Sequence, residues 1–111
     1  MSHPVILSDD TFENEVINSD KPVMIDFWAT WCAPCRMIAP VVEEMAKEYD
    51  GQAKICKIDV DANPGVASKY GIMSIPTILF FNKGKLVDKV VGAVPKTQLV
   101  NKLQGAMTKV A

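Results

Sequence analysis

What this chain holds little of limits it first. Of its 111 residues, three are cysteine, two tryptophan, two tyrosine, one histidine and six glycine. An odd and sparse cysteine set excludes the disulfide framework of a small secreted scaffold and leaves redox or metal chemistry to explain any close pair, so a reducing compartment is expected. No repeat, low-complexity tract or Gly/Ser-rich linker breaks the sequence. Long hydrophobic runs are missing too. The opening MSHPVILSDDTF has no basic region and no apolar core beyond Val5 to Leu7, and from this no membrane association and a cytoplasmic location are expected. Nor does charge of one sign dominate: 12 basic and 13 acidic residues give a net charge of -1. They are interspersed, which leaves no electrostatic footprint for nucleic acid or an anionic membrane.

What is there suits one compact domain over residues 1–111, with 49% hydrophobic residues for a single core. A monomer is expected. The hydrophobic period changes several times along the chain, predicting alternating strands and helices in the order βαβαβαββα. Val5 to Leu7 reads as a short strand. Asp10 is positioned to cap a helix with Glu13 three residues on and Phe12, Val16 and Ile17 on one face, ending near Ser19-Asp20. Val23 to Ala29 (VMIDFWA) is almost continuously apolar, as in a central strand covered on both sides, with Asp26 the exception.

Residues 34 to 49 follow at helical spacing, with Ile38, Val41, Val42, Met45, Ala46 and Tyr49 as the buried stripe and Pro40 expected to kink the helix. Ala53 to Asp59 is a third strand. Asn63-Pro64 offers a capping side chain and then a proline at the first helical position, for a short helix to Tyr70 ended by Gly71. Thr77 to Phe81 and Leu86 to Val91 form a hairpin across Asn82-Lys83-Gly84-Lys85. Leu99, Val100, Leu103, Ala106, Met107 and Val110 mark an amphipathic last helix. The expected fold is α/β: a mixed sheet with helices on both faces.

Against this scarcity, FWATWCAPCR at positions 27 to 36 gathers both tryptophans and two of the three cysteines. Cys32 falls where strand gives way to helix, and Pro34 is pre-set for a first helical turn. Cysteines at i and i+3 of such a turn have Cα atoms roughly 5 to 5.5 Å apart, inside the disulfide window. The unpaired N–H groups at the helix start favour an anion, which makes Cys32 the natural nucleophile and Cys35, one turn deeper, the resolving thiol. Half a zinc site is the competing reading. Four ligands need a second pair, however, and only Cys56 and His3 remain, so no metal is expected. Asp59-Val-Asp61-Ala-Asn63 opens like a calcium loop but has Pro64 at the required glycine and Tyr70 at the required glutamate.

WCAPC after an apolar strand, Asp26 within that strand, Lys57 in the third, Ile75-Pro76-Thr77 before the fourth and Gly84 and Gly92 around the hairpin resemble the thioredoxin family. Trp28, Trp31, Pro40 and Asp61 fall at matching intervals, and the likeness runs from Ser8 to the C-terminus. It implies the thioredoxin fold and a general protein disulfide reductase with disulfide-containing protein substrates. Electrons come from an external thioredoxin reductase, and no cofactor is needed beyond the cysteine pair. By this resemblance Cys32, Cys35, Asp26, Lys57 and Pro76 are the catalytic set, with Asp26 a buried acid exchanging protons with Cys35 and Ile75-Pro76 a cis bond beside the cysteines. The residues alone leave Asp26 open between that role and an edge position reaching water. Trp31, Ala33, Pro34, Val60, Ile72, Ile75, Val91, Gly92 and Ala93 would form the docking patch, and Trp28 and Pro40 would support it.

Ala33 stands where relatives most often have glycine. The propensity difference of roughly 1 kcal/mol corresponds to only about 20 mV, too little to turn a reductant into an oxidant. Met73-Ser74 also departs from the usual glycine or basic residue, so partner preference is expected to differ. Cys56 reads as a small core residue and His3 as having no role. A non-catalytic binding subunit using the same apolar patch is the alternative, and an oxidase or isomerase ranks below both.

Overall fold

A computed structural model of the chain describes residues 3–108, and Val110 of the expected last helix lies outside them. Five strands and four helices follow in the order expected. They are β1 (Val5–Ile6), α1 (Glu13–Ile17), β2 (Val23–Trp28), α2 (Ala33–Glu48), β3 (Lys54–Asp59), α3 (Pro64–Lys69), β4 (Thr77–Asn82), β5 (Lys85–Val91) and α4 (Lys96–Thr108). The sheet order is β1-β3-β2-β4-β5, with β1, β3 and β2 parallel and β4 antiparallel to both β2 and β5. This is the thioredoxin fold.

Alternation along β2 sorts its side chains between two cores. Met24 packs with Ile55, Ile78 and Phe80 under α2 and α4, where Ile38, Val42, Met45, Leu99 and Leu103 close the layer. Val23, Ile25 and Phe27 point the other way, to Leu7, Phe12, Val16, Cys56, Val66 and Phe81. Asp26 therefore faces α2, two residues from Met24, and its parallel neighbour in β3 is Lys57.

Several boundaries differ from the expectation. Asp10 does not cap α1. No side chain caps it; Ser8 and Thr11 instead close the turn before it, the Thr11 N–H donating to Ser8 Oγ at 3.2 Å and the Ser8 N–H to Thr11 Oγ1 at 2.9 Å. The helix is a single wide turn, closed by the Asn18 N–H on the Glu13 carbonyl, and it stops at Ile17, short of Ser19. The hairpin turn holds only Lys83 and Gly84, at φ 52° and 79°, because Asn82 pairs with Lys85 inside the ladder. Two left-handed residues match the twist of the flanking strands. Buried Asn82 is satisfied by donating through Nδ2 to the Ala106 carbonyl at 3.0 Å.

Asn63 does not cap α3 either. Its Oδ1 accepts from the Asp9 N–H at 2.9 Å, while the Asp9 carboxylate takes the cap, accepting from the Gly65 N–H at 2.9 Å and the Val66 N–H at 2.8 Å. α2 continues through Pro40, which is exposed on its outer face.

Candidate active site

β2 delivers the chain to the top of the sheet, where Ala29 is buried and its carbonyl accepts from the Cys32 N–H at 3.2 Å. Cys32 then sits at the N-cap of α2 in an extended conformation, and its Sγ accepts from the Cys35 N–H at 3.2 Å. Sulfur thus occupies the place an N-cap oxygen normally takes, held by a helix-start amide. Cys32 and Cys35 form a disulfide with Cα atoms 5.2 Å apart, within the separation that helix geometry predicts. Both sulfur residues are almost fully buried, packed with Ala29 and touched by Trp28, Val60 and Ile75.

The Ile75-Pro76 bond is cis, and the Ile75 carbonyl oxygen lies 3.7 Å from Cys32 Sγ. Gly92, at φ 98°, donates its N–H to the Pro76 carbonyl at 2.8 Å, so the end of β5 is tied to the same loop.

Beneath the disulfide a cavity of about 240 Å³ is lined by Asp26, Lys57, Trp28, Cys35, Arg36 and Ala39 among others. Asp26 is buried, and its Oδ1 has no hydrogen-bond partner. Burial pushes its carboxyl up from 3.8 to about 7, while the Lys57 ammonium pulls less strongly the other way. Lys57 Nζ in turn rests 4.7 Å from the centre of the Trp28 ring. Cys56 is fully buried on the opposite face of the sheet, and its thiol is pushed up to about 12, mainly by that burial. The expectation of a core residue fits.

A disulfide that closes one helical turn, at the mouth of an α/β sheet and above a buried acid, defines a dithiol-disulfide oxidoreductase. Comparison with known proteins refines that class. The thioredoxin family model matches residues 3–105. Thioredoxin 1 of Nostoc sp. is 56% identical over 94% of this chain and 97% of the relative. Thioredoxin 1 of Synechococcus elongatus is 56% identical over 93% of this chain and 96% of the relative. A chloroplastic M-type thioredoxin of Pisum sativum is 52% identical over 89% of this chain and 58% of the relative. The chain belongs to the thioredoxin family.

Of the docking residues named from sequence, Trp31, Ala33, Pro34, Val91 and Ala93 are exposed, and Val60, Ile75 and Gly92 are half-buried beside the disulfide or Pro76. Ile72 is half-buried, packs on the opposite core and lines an outer recess with Val91. Trp31, 67% exposed, is fixed by its Nε1 donating to Asp61 Oδ2 at 2.8 Å.

Sequence reasoning gave no role to Arg36, whose Nη1 donates to the Thr30 carbonyl at 2.8 Å and which walls the cavity. Its place directly after Cys35 was the only available signal. Met73 was singled out only as a departure, and it is 96% exposed. Among the described residues no helix is long and apolar enough to cross a membrane.

Proposed function

We propose that the protein is a general reductase of protein disulfides, working as a single domain and a monomer in the cytoplasm, with an external thioredoxin reductase restoring its dithiol. The carrying observation is the Cys32–Cys35 disulfide at the start of α2, with Cys35 opening onto the cavity that Asp26 and Lys57 share.

In the reduced protein the Cys32 thiolate, favoured by the helix-start amides, attacks a substrate disulfide. One S–S bond breaks, one forms, and a substrate thiolate leaves. Cys35 then gives up its proton and attacks Cys32 Sγ, which closes the internal disulfide and frees the second substrate thiol. The substrate gains two electrons and two protons overall, and the cysteine pair is the only carrier required.

Asp26 is the acceptor for the Cys35 proton. A carboxyl held at about 7 is split between its two forms near neutrality, the condition under which a general base works best. The cavity is roomy enough for water to relay that proton. Lys57, one residue across the ladder, steadies the carboxylate when it forms. Pro76 leaves the Ile75 backbone beside Cys32 free to align an extended substrate segment. Trp31, Ala33, Pro34, Val60, Ile75, Val91, Gly92 and Ala93 are its docking surface, with Ile72 at the outer edge. Trp28 and Pro40 support the site from the strand end and the helix.

The test is a pair of variants. Cys32→Ser should abolish dithiothreitol-driven reduction of an exposed protein disulfide, and Cys35→Ser should accumulate mixed disulfides visible by mass spectrometry. Sustained turnover by Cys32→Ser would remove the mechanism. The exposure of Trp31, Met73 and Val91 also favours a second reading, a non-catalytic binding subunit. Partner binding that survives replacement of both cysteines by serine would favour it.

A further inference from the structure

Between the loop that follows α3 and the end of β5 lies a separate recess of about 170 Å³, walled by Ile72, Met73, Ser74, Thr77, Lys89 and Val91. We propose that it is a specificity subsite, taking a glutamate side chain from an extended substrate segment two residues away from the cysteine under attack. The inference rests on the disulfide-reductase reading and adds a substrate preference to it.

Placement is the first argument. Ile75, whose carbonyl oxygen lies 3.7 Å from Cys32 Sγ, is two residues from both Met73 and Thr77 in the chain. Thr77 Oγ1 donates to the Ser74 carbonyl at 2.6 Å, and Thr77 pairs with Val91 across the ladder. Together with the Gly92–Pro76 hydrogen bond, these contacts tie the recess walls to the Ile75-Pro76 loop that meets Cys32. An extended chain advances about 3.3 Å per residue and sends alternate side chains to the same side. In the proposed pose a segment with its cysteine at Cys32 runs along Ile75 and carries the side chain two positions on toward the recess.

Charge is the second argument. Lys54, Lys96 and Lys102 pair with carboxylates, and Lys57 and Lys69 lie over aromatic rings. Among the described residues Lys89 is engaged in no such pair, and it is the one charged side chain among the recess walls. The other loop meeting Cys32 carries Asp61, bonded to Trp31 and exposed. Negative charge on that loop and positive charge on β5 polarise an extended ligand, with its acidic end toward Lys89.

The apolar walls supply the third. Met73 is 96% exposed and Val91 54%, and both offer surface to a methylene stem, which glutamate has and which a flexible thioether packs against readily.

The experiment uses short peptides whose cysteine is linked by a disulfide to thionitrobenzoate, with Glu, Gln or Lys two residues to one side or the other. The reduced protein attacks, thionitrobenzoate leaves as a coloured thiolate, and Cys35 then releases the peptide thiol. At low ionic strength the wild type should favour Glu over Lys in the second-order rate constant of single-turnover colour release by about two- to five-fold, as an exposed ion pair allows, for one side of the cysteine only. Added salt should erode the ratio. Lys89→Ala should bring it to about one, and Lys89→Glu should invert it. A wild-type ratio near one, or a ratio that Lys89→Glu leaves unchanged, overturns the subsite while the reductase stands. No colour release from any peptide overturns the reductase reading and the subsite with it.

Discussion

Asp26 holds a carboxyl that burial makes costly to ionise, and the cost is measurable. Its folded-state value of about 7 lies above the 3.8 of an exposed aspartate. As pH rises from 4 to 7 the unfolded chain therefore gives up this proton first, and this group's effect is to lower stability across that window, levelling off above it. Asp26→Asn should remove the penalty. Denaturant unfolding at pH 8 is expected to show a gain with an upper bound on the order of 4 kcal/mol, fading below pH 4. A gain of the same size at pH 3.5 and pH 8 would mean that ionisation is not its cause. The same substitution should flatten the pH dependence of Cys35 attack on a trapped mixed disulfide. The buried acid was legible in VMIDFWA because one carboxylate interrupted a run with no exposed face. The cavity beneath it was not, since it needs Arg36 and Ala39 from α2 as well as Lys57 from β3.

Helix α3 shows where local reading stops. Asn63-Pro64 has the right residues for a cap, yet the carboxylate that caps the helix comes from Asp9, and a Cβ on Gly65 would meet Asp9 Oδ2 at 2.9 Å. No sequence window contains a contact across more than fifty residues. Asp9→Ala should therefore lower stability by about 1 to 2 kcal/mol, read as a reduced urea midpoint at unchanged slope. An unaltered midpoint would take the cap away from Asp9. The hairpin gives a second instance. Gly84 was marked as a turn residue, but its larger constraint is tertiary, a Cβ there standing 2.5 Å from the Ile17 carbonyl oxygen. By contrast, the cysteine turn was readable almost completely, because residues 32 to 35 set their own geometry.

Across the whole molecule, β2 and β4 lie between paired neighbours and between both cores, whereas β1 contributes only two residues at an edge. Amides of β2 and β4 should exchange hydrogen slowest, and those of β1 and α1 orders of magnitude faster. Exchange at β1 as slow as at β4 would contradict this division. The order of elements along the chain and the two-sided sheet followed from the periods of the apolar residues, which the cores had to satisfy; the order of strands across the sheet came only with the structure. The outward-facing recess carried no such pattern. One contact at the rim has a consequence for recognition. The Trp31 indole stands in solvent but is tethered by Asp61 on the loop after β3. On the docking surface proposed above, an arriving protein would meet a plate already oriented for it and lose little rotational freedom when the two close together.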